Sequence, residues 1–402
     1  MKVGAAYMNN KQMIHRSLFF KKALFLAILI VLLTAAPLFS ANITVPSLQV
    51  YSWARNDGGF ALDSYGSMEL QLDGGYKFGG AMKFDFTSSS LETAAFNDML
   101  AFKSVSITLR DLFNIPLDFT YFIGQGDTFG TGELFTTYFG TPLLGSRYTS
   151  FLHFPTITGK KFNFYEGIHT IYGTGGKFEF APAEKNWLFS LYLYQDSAPA
   201  FLTGVPPAVD FSSRQGSLDV RTAFNLEKVR VEAFLGTTFP TSDSAIGYIR
   251  SGLFLHAGTD KVEFLAELGM PRWRPLDDAF GLDLFYLLLE QRVHFGKLSI
   301  VPTFFWRPGY YQQEATGEEA MDINLDLQFH GKEESLVSGG VEGNFVYQTT
   351  PISEIIAKAI PYIQLSTPGV VYKAQVNTKV WPFDLTDMSD MFAVFLSIEA
   401  AF

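Results

Sequence analysis

Alternation constrains this chain more than any other feature. From Leu62 the even positions read Leu62, Ser64, Gly66, Met68, Leu70, Leu72, and the odd ones Asp63, Tyr65, Ser67, Glu69, Gln71, Asp73. After Asp73-Gly74-Gly75 the beat resumes with Tyr76, Phe78, Gly80, Met82, Phe84, Phe86 against Lys77, Gly79, Ala81, Lys83, Asp85, Thr87. A period of two on both sides of a Gly-rich turn is a β-hairpin with one apolar and one polar face. Each arm is about eleven residues or more, enough to cross a bilayer when tilted and about twice the usual globular strand.

The pattern recurs to the end of the chain. Val105, Ile107 and Leu109 turn at Asn114 into Leu117, Phe119, Tyr121 and Ile123; Leu218, Val220 and Phe224 turn at Glu227-Lys228 into Val229, Val231 and Leu235. Met321, Ile323, Leu325, Leu327 and Phe329 alternate with Asp322, Asn324, Asp326, Gln328 and His330. Tight turns of roughly two to six residues join hairpin partners, and looser segments separate the hairpins. Short turns at one end and long loops at the other are the asymmetry of a membrane barrel. The expected fold is all-β: a transmembrane antiparallel β-barrel of about eighteen strands, sixteen being the alternative, beginning with a weak strand near Ser47 to Ala54. An even number leaves both termini on one side.

Residues 1–41 carry Lys2, Lys11, Arg16, Lys21 and Lys22, then an apolar run from Ala23 to Leu33 and small residues before Asn42. About eleven apolar residues are too few to span a bilayer as a helix, and the order is that of a secretory signal peptide with Ala41 as the last residue removed. A start at Met13 gives a tidier signal. Residues 42–402 then form one barrel domain. Removing five Lys and Arg and no Asp or Glu takes the formal charge from −10 to −15. Such acidity argues against nucleic acid as a partner and against anchoring on anionic head groups. The absence of Cys excludes disulfides and Cys-metal sites.

The last strand alternates Phe392, Val394, Leu396, Ile398, Ala400, Phe402 with Ala393, Phe395, Ser397 and Glu399. A final amphipathic strand ending in Phe resembles the assembly signal of Gram-negative outer-membrane barrels. The resemblance implies the outer membrane of a diderm bacterium as location, export by the general secretory route, and outer-membrane lipid and the barrel assembly machinery as partners. One segment breaks the beat: Gln125 to Glu166, without helical or strand period, rich in Gly, Thr and aromatic residues. Segments of this length inside a compact fold are often functional. In place and length it resembles the inward-folded constriction loop of the porin families, as the third external loop.

Selectivity in such pores comes from facing rows of charge. The loop offers Asp127, Glu133 and Arg147, and inward faces of nearby strands offer Arg214, Arg221 and Arg250. An acidic loop opposite a basic wall is the expected pore constriction. Gly124-Gln125-Gly126 and Gly130-Thr131-Gly132 read as bends, because Thr-Gly-Glu-Leu-Phe-Thr-Thr does not look like the opening of a helix. His153, His169, His256, His294 and His330 are widely spaced, which suits lumen solvation rather than metal binding. Leu282 to Leu289 is apolar on both faces. It could face a packed inner loop, line a path for a hydrophobic substrate or mark a bulge. Pro351 and the apolar set Ile352, Ile355, Ile356 and Ala359 predict a short helix over 352–360.

The expected function is a porin for passive diffusion of small hydrophilic solutes, with no cofactor, no metal and no covalent step; trimers are common among porins, so a homotrimer is an expectation by analogy. A transporter of the long-chain fatty-acid type is the alternative, although no N-terminal hatch precedes the first strand. A surface adhesin or purely structural barrel is the second.

Overall fold

The computed structural model describes residues 42–56, 60–88, 100–141, 144–146, 167–182, 185–196, 215–240, 247–275, 280–307, 320–330, 336–348, 353–383 and 391–400. Eighteen strands follow in sequence: β1 Asn42–Asn56, β2 Phe60–Asp73, β3 Phe78–Ser88, β4 Leu100–Leu109, β5 Leu117–Phe129, β6 His169–Phe180, β7 Trp187–Asp196, β8 Gln215–Asn225 and β9 Val229–Pro240 complete the first half. The second half is β10 Ile249–Gly258, β11 Val262–Trp273, β12 Tyr286–Phe295, β13 Leu298–Arg307, β14 Ala320–His330, β15 Val337–Gln348, β16 Glu354–Thr367, β17 Val370–Trp381 and β18 Phe392–Ala400. Every strand pairs antiparallel with its neighbours in sequence, and β1 closes the sheet on β18, with Gln49 opposite Glu399 and Trp53 opposite Phe395. Closure leaves no unpaired edge, which is what permits a sheet to sit in hydrocarbon.

The connections sort by end. Those after β2, β4, β6 and every later even-numbered strand span two to seven residues; at the opposite end they include the 39 residues of 130–168 and the 18 of 197–214. The segment 130–168 is the third connection at the long-loop end.

Polarity is inverted relative to a water-soluble protein. Outward Ile107, Leu193, Leu235, Leu268, Ile323, Leu325, Ile363 and Leu396 are exposed, whereas inward Asp219, Glu232, Glu267, Glu290 and Asp322 are fully buried. A soluble monomer does not present a continuous apolar girdle. This surface matches hydrocarbon.

Two local readings are corrected and a third is narrowed. The helix expected over 352–360 is the start of β16, with Ile355, Ala357, Ala359, Pro361 and Ile363 outward and Lys358, Ile360 and Tyr362 inward. β-Branched isoleucines suit a pleated wall, and β17 offers no partner opposite Ile360 and Pro361, where proline has no N–H to give. The chain from Gln125 is not without period, because β5 runs on to Phe129 and Glu133–Phe139 forms a short helix, α1, after Gly132. In 282–289, a single 3-10 turn over Leu282–Leu284 precedes β12, whose Tyr286 and Leu288 point inward into the buried core and whose Leu287 and Leu289 point outward. A packed inner surface is therefore the correct choice among the three readings of that stretch.

Candidate functional site

The described parts of the third loop, 130–141, 144–146 and 167–168, lie inside the barrel against the wall from β6 to β12. A bulge between Gln125 and Thr128 shifts the β5 register, so the inward phase passes from Phe122 and Gly124 to Asp127 and Phe129. The chain then leaves the wall. In α1, Leu134 and Phe135 are buried, and Phe135 stacks on Phe254 of β10 at a centroid distance of 5.8 Å. On the same side, Ile168 closes the loop over two inward glycines, Gly252 of β10 and Gly269 of β11, which stand opposite each other. A Cβ on Gly269 would overlap the Ile168 side chain, so the recess exists only because both positions lack one. Phe122, Phe129, Leu144, Ile171, Phe234, Leu265, Tyr286, Leu288 and Phe305 complete this apolar packing.

Charged groups ring that packing and are paired. Asp127 meets Lys177 of β6 at 3.1 Å and Arg221 of β8 at 3.6 Å, and accepts a hydrogen bond from the Tyr192 hydroxyl at 2.7 Å. Arg221 donates through Nε to Glu232 of β9 at 3.0 Å and lies over the Phe129 ring. The same Glu232 oxygen accepts the backbone N–H of Gly130 at 3.0 Å, and Arg221 reaches the Thr128 carbonyl. This cluster holds the loop where it departs from β5.

A second latch holds its return. Ser146 donates to Glu290 of β12 at 2.5 Å, and Arg292 donates to the Gly145 carbonyl at 2.6 Å and to that of Leu144 at 3.4 Å. Arg292 is itself paired with Glu290 at 2.7 Å and with Glu263 at 3.0 Å. Hydrogen bonds to charged partners in a buried setting are the strong ones.

Between the latches, Arg250 forms a wall cluster of its own. It contacts Asp219 through Nε at 2.6 Å and Nη2 at 3.0 Å, donates to the Tyr194 hydroxyl at 2.8 Å and approaches Asp196 at 3.4 Å. Tyr194 in turn donates to Asp219 at 2.6 Å. Gly236 of β9 sits directly between Asp219 and Arg250 in the cross-strand register. Any Cβ there would overlap the Asp219 carboxylate.

Of the residues singled out from the sequence, Asp127 and Arg221 thus stand together in the first latch, and Arg250 lies in the wall beside it. Glu133 is exposed at the start of α1 together with Thr136 and Thr137, whereas Tyr138 reaches back to Lys177 of β6, whose Nζ donates to its hydroxyl at 3.4 Å. Arg147 and Arg214 lie outside the described residues. Sequence reasoning did not single out Lys177, Tyr192, Glu232, Glu290 or Arg292; the available signal was a charged or phenolic residue on the inward phase of a strand. Nor did it pick Lys83. This side chain of β3 pairs with Glu69 of β2 at 3.2 Å, remains more than a third exposed, and lies within electrostatic reach of Asp127 and Glu133. His256, His294 and His330 lie near the short-turn end, His256 and His294 on Glu263 and His294 and His330 on Ser299. No metal-ligating group of three is present among the described residues.

No family model matches the sequence, and no curated protein does. Solved structures do. A triple mutant of Rhodopseudomonas blastica porin aligns with 90% of this chain and 100% of its own at 9% identity and a TM-score of 0.46. The anion-selective porin from Comamonas acidovorans aligns over the same shares at 9% identity and a TM-score of 0.43. A structure described under asymmetric conductivity of engineered proteins reaches 9% and 0.47, again over 90% and 100%.

Proposed function

We propose that this chain is an outer-membrane porin, a passive pore for small hydrophilic solutes narrowed by its third external loop. The observation that carries the reading is the inversion: an apolar girdle outside, charged and polar side chains inside, on a closed wall of eighteen strands. A barrel of that strand number encloses more space than its own side chains fill. The described loop fills one side and is bonded to β9 and β12. On the other side, inward Gln49, Ser67, Glu69, Lys83, Ser106 and Thr108 keep partial exposure. The passage runs between that wall and the outer face of α1.

In this reading Asp127, Arg221 and Arg250 position the loop and its wall, while Glu133 faces Lys83 and Glu69 across the constriction; Arg147 and Arg214 belong to the proposed set by sequence alone. Residues 1–41 direct export. The strand carrying Phe392, Val394, Leu396 and Ile398, with Phe402 at its end, presents the chain to the assembly machinery. A hydrophobic-substrate path along 282–289 has less support, because the inward Tyr286 and Leu288 are fully covered.

Single-channel recording on the chain from Asn42, refolded into planar bilayers, tests the reading. A long-lived ohmic channel is the expected result. A correctly folded barrel that stays silent would overturn it.

A further inference from the structure

The inward arginines of the loop-bearing wall differ in one respect. Arg221 holds Glu232 and Asp127, Arg250 holds Asp219, and Arg292 holds Glu290 and Glu263. Arg230 of β9 has no such partner. It alternates with the outward Val229 and Val231, near the short-turn end, and stands directly opposite His256 of β10. No carboxylate among the described residues pairs with it, and its Nε–H is buried without an acceptor. His256 is only 3% exposed; its Nε2 meets Glu263 at 3.3 Å, and its Nδ1 is likewise buried without a partner. Two unpartnered nitrogens thus belong to facing residues, whose Cβ atoms stand about 5 Å apart in an antiparallel pair.

Their hydrogen-bonding demands are opposite. Glu263 is bonded to Arg292 at 3.0 Å and, as a carboxylate, only accepts, so the proton of a neutral His256 lies on Nε2 and leaves Nδ1 as an acceptor. Arg230 is always charged and only donates. A carboxylate or sulfate would satisfy the arginine but meet the imidazole lone pair to lone pair. One compact group that satisfies both needs an anionic oxygen and an acidic O–H together, and hydrogen phosphate has both. We infer that Arg230 and His256 form a site for inorganic hydrogen phosphate at the short-turn end of the lumen. A phosphate oxygen accepts from the guanidinium, and the P–OH donates to Nδ1 of His256. Arg230 as a whole is partly exposed, and its long, flexible arm turns to admit the ligand. Glu263, the nearest acid, is already engaged by Arg292, by His256 and, at 3.6 Å, by His294. The inference adds a site to the porin reading and needs from it only that water reaches this end of the lumen.

Stability reads the binding without requiring an open pore. The chain from Asn42, refolded in lipid vesicles, is unfolded in urea with inorganic phosphate, sulfate or methyl phosphate at matched ionic strength. A ligand bound only by the folded state raises the midpoint. Phosphate is expected to raise it; sulfate is not, and neither is methyl phosphate, which at about pH 7.5 has lost its O–H. Arg230→Gln is expected to abolish the phosphate response and, without phosphate, to unfold at a higher midpoint than the wild type, because it removes an unpaired charge. A lower midpoint for Arg230→Gln without phosphate would show that the arginine has a partner within the protein, and would overturn the site. Equal stabilisation by sulfate or methyl phosphate would overturn the assignment to hydrogen phosphate. In planar bilayers, phosphate block of the wild-type current is expected to weaken about tenfold or more in Arg230→Gln, the size of a lost hydrogen bond to a charged group. A silent wild-type barrel that still responds to phosphate in urea would remove the porin reading and leave this site standing.

Discussion

Gly236 shows how far a single missing side chain organises the lumen. It lies under the Asp219 and Arg250 pair, and a methyl group there would overlap the carboxylate, so Gly236→Ala must drive the two charges apart. Breaking a buried ion pair typically costs about 3–5 kcal/mol. We expect a loss of that order in urea-induced unfolding from lipid vesicles, with Gly216→Ala, where an added Cβ meets nothing within 4 Å, as the silent control. Equal midpoints for the two variants would show that the pair is not held as described. Arg221 and Arg250 were legible as inward charges from phase alone. Their partners were not. Asp127 reaches Arg221 only because a bulge flips the end of β5, and Ser146 reaches Glu290 across 144 positions of sequence. Pairing of that kind depends on register and sheet closure, which no local period encodes.

The strands were legible because a two-residue period sustained over about ten residues fits a pleated strand and no helix. The short elements were harder to read. α1 is seven residues long, begins after Gly132 with left-handed φ and buries only Leu134 and Phe135, too little for a helical stripe. At 352–360, isoleucines at i, i+3 and i+4 fit a helix, but the cross-strand ladder from Glu354 onward decides for β16. The loop as an element stands on its two latches, and the second can be removed by changing two side chains. Replacing Glu290 and Arg292 together by Ala deletes the bonds to Ser146, Gly145 and Leu144 and leaves the partly exposed Glu263 with His256 and His294 as neighbours. A larger and noisier single-channel current is expected in the double variant. A trace indistinguishable from wild type would mean that the apolar packing of Phe135 and Ile168 alone fixes the loop.

For the molecule as a whole, the outside is as specific as the inside. Leu325 lies mid-strand on the outer face of β14, between the inward Asn324 and Asp326. Leu325→Arg should destabilise the folded barrel in a bilayer by about 2–4 kcal/mol, the cost of arginine near the midplane, read from the denaturant midpoint in vesicles. On the porin reading proposed above, water fills the inside of this wall and lipid covers its outside, and the lack of cysteine makes that division testable at adjacent positions. Ser106 is inward and partly exposed; Ile107 is outward and 47% exposed. The decisive measurement labels single-cysteine variants S106C and I107C, assembled in membranes, with a charged, membrane-impermeant maleimide. Rapid labelling at 106 and none at 107 is the expected result, the reverse of what bare exposure would give. Labelling at 107 with protection at 106 would contradict a water-filled lumen inside a lipid-facing wall.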